Sequence, residues 1–313
     1  MAYFLGIDGG GTRTTAWLAD ADGNVLARTE SATSNPFKVG LAAAQHEILK
    51  AFHNCLRDAG IRPAVVSKSR PRMLRAVCAG ISGSGRPEVH RPLLAWMRQH
   101  IPARRHLLTT DAAIALAAAV RDKPGIVVNG GTGSFAYARD DQGKLFRAGG
   151  WGVPFDDRGS GYDLGRKAVA VALEAYDGRG PQTQLGERIC RHLKLGNVTE
   201  IVSRQLASQE VAALFPLVSE AARDGDRVAR RLCDEAALDL ADLAAALLKR
   251  AGWMRRAIAV VITGGVFQSS ELIRRGFARY MRRAAPRVRV RFLERPPVEG
   301  ALWLSRNLGR RKS

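Results

Sequence analysis

The chain has 313 residues, of which 46% are hydrophobic and 25% are charged, a balance typical of a folded globular protein. Its length favours two α/β units over one compact core. The formal net charge of +20 comes mainly from arginines spread along the chain, and only 6% of the residues are aromatic. Because aromatic and basic residues do not interleave, we expect anionic small molecules rather than nucleic acid as partners.

Two further patterns bear on where the protein acts. No apolar run reaches 18 residues, which predicts no transmembrane helix and no membrane partner, and the N-terminus lacks the basic and apolar segments of a signal peptide. The four cysteines are scattered without a CxxC pair, so we expect buried thiols in a reducing cytoplasm rather than a metal site or disulfides. They are Cys55, Cys78, Cys190 and Cys233.

The first third of the chain predicts a mixed sheet. Three short strands meander around a glycine turn and an Asp22-Gly23 hairpin signal, which favours an antiparallel ribbon at one side of a sheet. Helices and strands then alternate. In chain order we predict strands at 3–8, 13–19 and 25–29, a helix at 41–59, a strand at 73–79, a helix at 91–100, a strand at 106–110 and a helix at 111–120.

The same order of strand, glycine turn, strand, turn and strand then restarts near residue 125, which indicates a duplicated topology. A long Ala/Leu/Arg-patterned region predicts helices, and strands and helices alternate again towards the C-terminus. The predicted elements are strands at 125–129, 135–139 and 144–148, helices within 162–251, a strand at 257–263, a helix at 270–284, a strand at 288–293 and a short helix at 300–308.

Two glycine turns are the first candidate binding features. Three consecutive glycines precede Thr12, and Gly130–Ser134 forms a second turn with a threonine and a serine. Such turns expose backbone N–H groups to phosphates, although a purely structural hairpin would look the same. The first turn is neither a Walker loop nor a GxGxxG fingerprint. Asp8, at the end of the first strand, is placed to hold Mg²⁺ directly or through water.

Asp111 is the candidate general base. Phosphoryl transfer to an alcohol needs a carboxylate that orients the hydroxyl and accepts its proton. Asp111 stands at a strand-to-helix junction, where it or Thr110 could instead serve only as the helix N-cap. The residues alone leave both interpretations open.

A sugar would suit the irregular loop after residue 149. Trp151 lies among glycines and is followed by Asp156 and Asp157, and an aromatic face with carboxylates is chemistry that fits a sugar ring. A buried core tryptophan is the alternative. Asn35 could hydrogen-bond a substrate or be an ordinary turn residue. Gly264-Gly265, between a strand and a helix, could accept an adenosine or form a plain turn.

Five segments together resemble the N-acetylglucosamine kinase-like members of the sugar kinase/Hsp70/actin superfamily, which are grouped with the BadF/BadG/BcrA/BcrD ATPases. The segments are GIDGGGTRTT (6–15), similar to the phosphate-1 motif, TTDAAIAL (109–116), similar to connect-1, GGTGS (130–134), similar to phosphate-2, VITGGVFQSS (261–270), similar to the adenosine motif, and EGALWL (299–304), similar to connect-2. GGWG with DDRGSGYDLG (156–165) resembles the amino-sugar kinase branch.

The resemblance implies roles for individual residues. Asp111 matches the catalytic base and also contacts the sugar, and Asp8 matches the acid near the magnesium. The other matched positions are Asn35, Trp151, Gly152 and Asp157 for the sugar, Thr12, Thr132 and Gly133 for the phosphates, and Gly265 and Ser269 for the adenosine. The rest of the three glycine segments supplies further candidate ATP-binding residues, which are Gly10, Gly11, Arg13, Thr14, Gly131, Ser134 and Gly264. Arg158 departs from the family, which usually has glutamate there, so the sugar-binding loop carries a reversed charge.

The resemblance implies an α/β protein of two ribonuclease-H-like lobes, the actin-like ATPase fold, with an interlobe cleft. We expect an N-terminal lobe at 1–121 and a C-terminal lobe at 122–313, with a last helix at 300–309 that can pack back on the N-terminal lobe. The expected activity is transfer of the γ-phosphate of ATP, with Mg²⁺, to the 6-hydroxyl of N-acetylglucosamine.

Other readings stay open. A glucosamine or other hexosamine kinase would use the same catalytic and ATP-binding residues. A non-catalytic, ATP-regulated binding protein is the second alternative, and the basic surface is the argument for it. The partner we expect is a small-molecule sugar, and a homodimer is a further expectation. The activating ATPases of acyl-CoA dehydratases carry iron–sulfur cysteines, and repressor-type sugar kinases carry a zinc-binding cysteine cluster; both patterns are missing here.

Overall fold

The computed structural model describes residues 2–62, 74–153 and 155–310. The chain divides into two compact units: unit 1 contains 1–123 together with 293–313, and unit 2 contains 124–292. The predicted strand at 73–79 begins outside the described residues, at Met73. Within the described residues, no helix is both long and apolar enough to cross a membrane.

Unit 1 begins with the predicted antiparallel ribbon. Its five-stranded sheet has the order β3-β2-β1-β4-β5, in which β1 is antiparallel to β2 and parallel to β4. The central strands are buried on both faces, as expected for the parallel part of a sheet. The strands are β1 (Tyr3–Gly9), β2 (Arg13–Ala19), β3 (Val25–Ala32), β4 (Leu74–Ile81) and β5 (Ala103–Thr109).

Among the described residues before 124, unit 1 has four helices. The short helix α1 was not predicted, and α3 begins four residues earlier than predicted because Pro87 suits the first turn of a helix. Helix α2 buries an apolar stripe that includes Ile48, Phe52 and Leu56. The helices are α1 (Pro36–Val39), α2 (Leu41–Asp58), α3 (Pro87–His100) and α4 (Asp111–Val120).

Unit 2 repeats the topology of unit 1. Its sheet has the order β10-β9-β6-β7-β8, with an antiparallel β6–β7–β8 meander and β9 parallel to β6. The predicted duplication is therefore confirmed at the level of strand order. The strands are β6 (Gly125–Gly130), β7 (Ser134–Arg139), β8 (Leu145–Gly149), β9 (Ala259–Thr263) and β10 (Arg289–Phe292).

Helices fill most of the rest of unit 2, as the Ala/Leu/Arg pattern predicted. Helix α9 buries one apolar side, including Leu232, Leu240 and Leu247, in a single large core. The helices are α5 (Gly161–Tyr176), α6 (Leu185–Leu193), α7 (Ser208–Ala212), α8 (Phe215–Arg223), α9 (Arg227–Arg250), α10 (Gly265–Ser269) and α11 (Glu271–Ala284), with a 3₁₀ helix at Val198–Ser203.

The last helix, α12 (Pro297–Arg310), belongs to unit 1. Ala301 and Leu302 are buried against residues of β1, β4 and α4. Any side chain at Gly300 would overlap the carbonyl of Ile114, so α12 and α4 cross at close range. Unit 2 ends at residue 292 rather than 313, and α12 lies in unit 1, the position that the expectation for a last helix at 300–309 allowed.

Candidate functional site

Asp111 is the first residue of α4, and the structure separates it from the capping role. Thr110 is the N-cap, with its side chain accepting a hydrogen bond from the Ala113 N–H at 3.2 Å. Asp111 Oδ1 accepts one from the Ala112 N–H at 2.9 Å. Burial raises the pKa of the Asp111 carboxyl, and the hydrogen bonds from Ala112 and Ser82 oppose that rise. Asp111 is therefore a partly desolvated carboxylate that is not needed to cap the helix.

Two neighbouring side chains connect Asp111 to α1. The Ser82 hydroxyl donates to the Asp111 carboxylate, and Asn35 Nδ2 lies 3.5 Å from Ser82 Oγ. The other end of the Asn35 amide caps α1, since its Oδ1 accepts from the Phe37 N–H at 3.0 Å. With one N–H of the amide directed at Ser82 and one lone pair of Oδ1 engaged by Phe37, the second N–H and the second lone pair are left for a ligand. Sequence reasoning missed Ser82, although it lies in the Gly/Ser-rich turn that follows β4.

Asp8 stands at the end of β1, paired with Thr15 on β2 and Gly80 on β4. Burial, together with repulsion from Asp111, raises the pKa of Asp8 from 3.8 to about 7, while Arg13 acts in the opposite direction. Two carboxylates that repel each other are suited to a divalent cation. Within the described residues, no three His, Cys, Asp or Glu side chains gather into a metal cage. This donor set fits Mg²⁺, which keeps several waters and binds phosphates.

The first glycine turn, 9–14, lies beside Asp8. Gly10 donates its N–H to the carbonyl of Arg13 at 2.9 Å, which closes the turn. Thr12 and Arg13 are exposed, and the Arg13 guanidinium lies 3.3 Å from Glu30. The hydroxyl of Thr14 is buried and donates to Ala32 at 2.8 Å, so it is engaged inside unit 1. An open cavity of about 510 Å³ borders the turn and is lined in part by Asp8, Thr12, Arg13 and Arg28.

A second cation touches this turn. Lys38, on α1, donates from Nζ to the carbonyl oxygen of Gly11 at 2.8 Å. Sequence reasoning missed Lys38, because nothing local shows that α1 folds back over a turn 27 residues earlier in the chain. An ammonium group thus lies against the tip of the predicted phosphate-binding turn.

The second glycine turn, 130–134 in unit 2, is held by its own backbone. The Gly131 N–H donates to Gly133 at 2.9 Å. Ser134 is buried: its hydroxyl donates to the carbonyl of Arg158 at 2.7 Å, and its N–H donates to Asp157 Oδ1 at 3.3 Å. Thr132 is exposed at the tip. Ser134 therefore shapes the turn, and Thr132 and Gly133 are better placed to meet a ligand.

The tryptophan loop of unit 2 presents a ring rather than burying it. The Trp151 side chain is 68% exposed, and the Arg147 guanidinium lies 3.8 Å from its ring centroid. The interpretation of Trp151 as a core residue is thus excluded, and one ring face is occupied by a cation. Gly152 has a φ of +89°, which bends the chain after the tryptophan.

Asp157 turns back towards the second glycine turn. It is buried, has a φ of +67° and accepts the Ser134 N–H. Burial raises the pKa of its carboxyl, an effect opposed by the hydrogen bond from Ser134. The neighbouring Arg158 points elsewhere, with its guanidinium 3.5 Å from Asp239 on α9. The charge that departs from the family pattern therefore has a carboxylate partner within unit 2.

The candidate adenosine segment follows β9. Gly264 has a φ of +99°, and a side chain there would overlap the carbonyl of Gly130, so this glycine is required by packing. Gly265 is exposed, and a Cβ atom there would meet nothing within 4 Å. Ser269 is exposed at the end of α10. Gly265 and Ser269 are thus accessible, whereas Gly264 shapes the turn.

Within unit 1, hydrogen bonds through Ser82 connect Asn35, Asp111 and the first glycine turn, and Asp8 is coupled to Asp111 by charge repulsion. Within unit 2, the structure brings Asp157 to the second glycine turn. Trp151, six residues earlier in the chain, is exposed at the surface. The described cysteines are free thiols: Cys55, Cys78 and Cys233 are buried as predicted, and Cys190 is partly exposed.

Comparison with known proteins supplies an independent line of evidence. The model of the BadF/BadG/BcrA/BcrD ATPase family matches residues 5–302. An N-acetylmuramic acid/N-acetylglucosamine kinase from Clostridium acetobutylicum is 28% identical, over 98% of this chain and 99% of its own. An N-acetyl-D-glucosamine kinase from Dictyostelium discoideum is 30% identical, over 84% of each chain.

The fold has a counterpart among solved structures. A crystal structure of a protein from Chromobacterium violaceum that is designated an N-acetylglucosamine kinase superimposes with a TM-score of 0.80. The two chains are 29% identical, and the match covers 97% of this chain and 99% of the other. The two five-stranded sheets therefore follow the arrangement of the sugar kinases of the actin-like ATPase fold.

Proposed function

Because the chain belongs to the BadF/BadG/BcrA/BcrD ATPase family, we propose that it is an ATP-dependent amino-sugar kinase whose acceptor is the 6-hydroxyl of N-acetylglucosamine. The observation that carries this proposal is the environment of Asp111. Its carboxylate stands free of the helix cap, is partly desolvated, and is hydrogen-bonded to Ser82 next to Asn35. Such a carboxylate can hold a hydroxyl group and accept its proton.

The chemistry follows from that position. The sugar hydroxyl donates a hydrogen bond to the Asp111 carboxylate, which aligns the oxygen for attack on the γ-phosphorus of ATP. As the new P–O bond forms and the bond to the β-phosphate oxygen breaks, the hydroxyl proton passes to Asp111. The products are a sugar 6-phosphate and ADP, and Asp111 then releases its proton to water. The raised pKa of Asp111 makes it a stronger base than an ordinary aspartate.

The nucleotide is assigned to the glycine turns. In unit 1 the backbone of Gly10–Thr14 and the exposed Thr12 and Arg13 would contact phosphates, and in unit 2 Gly131–Ser134 would do so mainly through Thr132 and Gly133. Gly265 and Ser269, with Gly264 shaping their turn, would line the adenosine pocket. Asp8 would hold Mg²⁺ through water or directly, and a bound Mg²⁺ neutralises charge that develops on the phosphates.

The acceptor is assigned to polar groups and one aromatic face. The free N–H of the Asn35 amide would donate to a sugar hydroxyl, since the other N–H is directed at Ser82. The exposed face of Trp151 would pack on the ring, while Gly152 and Asp157 would supply further contacts. Because Arg158 is paired with Asp239, we do not expect its charge to set the choice of acceptor.

A panel of acceptors tests the proposal. ADP release is coupled to a chromogenic assay with N-acetylglucosamine, glucosamine, N-acetylmuramic acid, N-acetylmannosamine and glucose. We expect the highest kcat/KM with N-acetylglucosamine, and product analysis should show a phosphomonoester at O6. Glucosamine as the best acceptor would instead support the hexosamine kinase alternative. ATP binding without turnover for any sugar would contradict the kinase proposal and support a nucleotide-regulated binding protein.

Further expectations concern the setting of this reaction. A location in the cytoplasm, where ATP is abundant and thiols stay reduced, remains a prediction, as does a homodimer. Light scattering with purified protein would test the oligomeric state.

A further inference from the structure

Lys38 differs from the other cation at the first glycine turn in how its charge is balanced. Arg13 has Glu30 as a partner at 3.3 Å and is also the cation that acts on Asp8. Within the described residues, no carboxylate forms an ion pair with Lys38, and its hydrogen-bond partner is the neutral carbonyl of Gly11 at 2.8 Å. Partial desolvation lowers the pKa of the Lys38 ammonium, as expected for a cation without a counter-charge.

The fit between Lys38 and the turn depends on glycine. A Cβ atom at Gly11 would lie 3.0 Å from Lys38 Nζ, so the missing side chain lets the ammonium lie directly against the turn. An ammonium group has three donors, of which the Gly11 carbonyl accepts one. The remaining donors are available to anionic oxygens beside the exposed glycine turn.

The position of Lys38 on α1 indicates which phosphate it would meet. The N-cap of the same four-residue helix is Asn35, whose side chain also approaches Ser82, the hydrogen-bond partner of Asp111. Lys38 and the acceptor residue Asn35 are therefore held by one rigid turn. A phosphate in contact with Lys38 is thus the phosphate nearest the acceptor, which is the group that is transferred.

We propose that Lys38 is a further phosphate-contacting residue, whose ammonium binds the γ-phosphoryl group of a nucleoside triphosphate. This inference rests on the proposed function, in which the γ-phosphoryl group moves from ATP to the sugar. The charge that Lys38 carries is then neutralised when the triphosphate binds, and the ammonium follows the phosphoryl oxygens as charge develops on them. ADP lacks the γ-phosphate, so Lys38 should distinguish the two nucleotides.

The experiment measures both nucleotides and turnover. Isothermal titration calorimetry gives the affinity for AMPPNP and for ADP, and the coupled assay gives kcat/KM for ATP with N-acetylglucosamine. The variants are Lys38→Ala, Lys38→Arg, which keeps the charge, and Lys50→Ala as a matched control. Lys50, on the neighbouring α2, is exposed and lies 4.0 Å from Glu47. Thermal melting of each variant shows whether it is folded.

We expect Lys38→Ala to weaken AMPPNP binding by about 10-fold or more, the scale of one charge-assisted contact, with ADP affinity changed less than about twofold. The kcat/KM for ATP should fall by roughly 30- to 100-fold, and Lys38→Arg should recover most of it. Equal losses for AMPPNP and ADP, or a Lys38→Ala variant that behaves as Lys50→Ala does, would overturn the inference while wild-type kinase activity stands. A wild-type protein without sugar-dependent turnover would overturn the proposed function and this inference together.

Discussion

The Ser82 hydroxyl lowers the pKa of the Asp111 carboxyl by hydrogen bonding, although Ser82 lies in the connection after β4 and Asp111 is the first residue of α4. Ser82 is itself anchored, since its N–H donates to the carbonyl of Gly9 at 2.8 Å. The base, the first glycine turn and the acceptor residue Asn35 therefore meet around one serine. Ser82 is in this view a positioning residue that orients the base and stabilises its ionised form.

Removal of the Ser82 hydroxyl should impair catalysis and shift its pH dependence. Ser82→Ala deletes a hydrogen bond that lowers the pKa of Asp111, so more alkaline conditions are needed to ionise the base. We expect kcat to fall by roughly 10- to 100-fold and the acidic limb of the pH–kcat profile to move to higher pH.

Ser84→Ala is the matched control, because Ser84 lies in the same turn but donates to the backbone carbonyl of Thr109 at 2.7 Å. It should leave the acidic limb in place. A Ser82→Ala profile identical in shape to the wild-type profile would show that Ser82 acts only on the local fold.

Loss of the Asp111 carboxylate should separate binding from turnover. Asp111→Asn keeps the size of the side chain but cannot accept the hydroxyl proton, so kcat should fall by about three orders of magnitude or more. ATP affinity, measured by calorimetry, should stay within about threefold of wild type. Normal phosphorylation by this variant would contradict the assignment of the base.

Asp8 should make stability depend on pH. Its folded-state pKa of about 7 lies above its ordinary value of 3.8, so the folded protein holds the proton more tightly than the unfolded chain. The stability that this proton contributes is present below pH 4 and is lost as the pH rises through about 7.

The asparagine side chain of Asp8→Asn stays neutral at every pH, so this variant does not lose stability as the pH rises. In magnesium-free buffer it should be more stable than wild type at pH 8, by about 1–3 kcal/mol after allowance for its partial exposure. At pH 4 the two proteins should have the same melting temperature. Thermal melting across this pH range checks the difference, and a constant gap at all pH values would contradict the titration of Asp8 as its cause.

The two glycines after β9 should respond differently to alanine. Gly264→Ala introduces a side chain at a positive φ and in contact with Gly130, so unfolding should become easier by roughly 2–4 kcal/mol. Gly265→Ala adds a methyl group to open space and should change stability by less than about 1 kcal/mol. Denaturant unfolding of the two variants compares them. Equal destabilisation would show that the close approach of Gly264 to Gly130 is unimportant.

The sequence by itself determined the two repeated sheets, the glycine turns and the start of α4 at Asp111. These features depend on residues within a few positions of one another: alternation in strands, glycine in turns, and a capping residue before a helix. The bounds of α4 were predicted to the residue, because Thr110 caps it and its alanine-rich interior favours helix.

Only the tertiary structure decided which residues surround the candidate base and which group is the partner of each charged side chain. Asn35 and Ser82 are 47 residues apart, and Lys38 and Gly11 are 27 apart; neither pair has a local signal. The same holds for Arg158, whose partner Asp239 lies on a distant helix, and for residues 293–310, which join unit 1 by packing α12 on α4 and β1. Contacts of this kind depend on how whole elements pack, and packing is a property of the folded chain rather than of any short stretch of it.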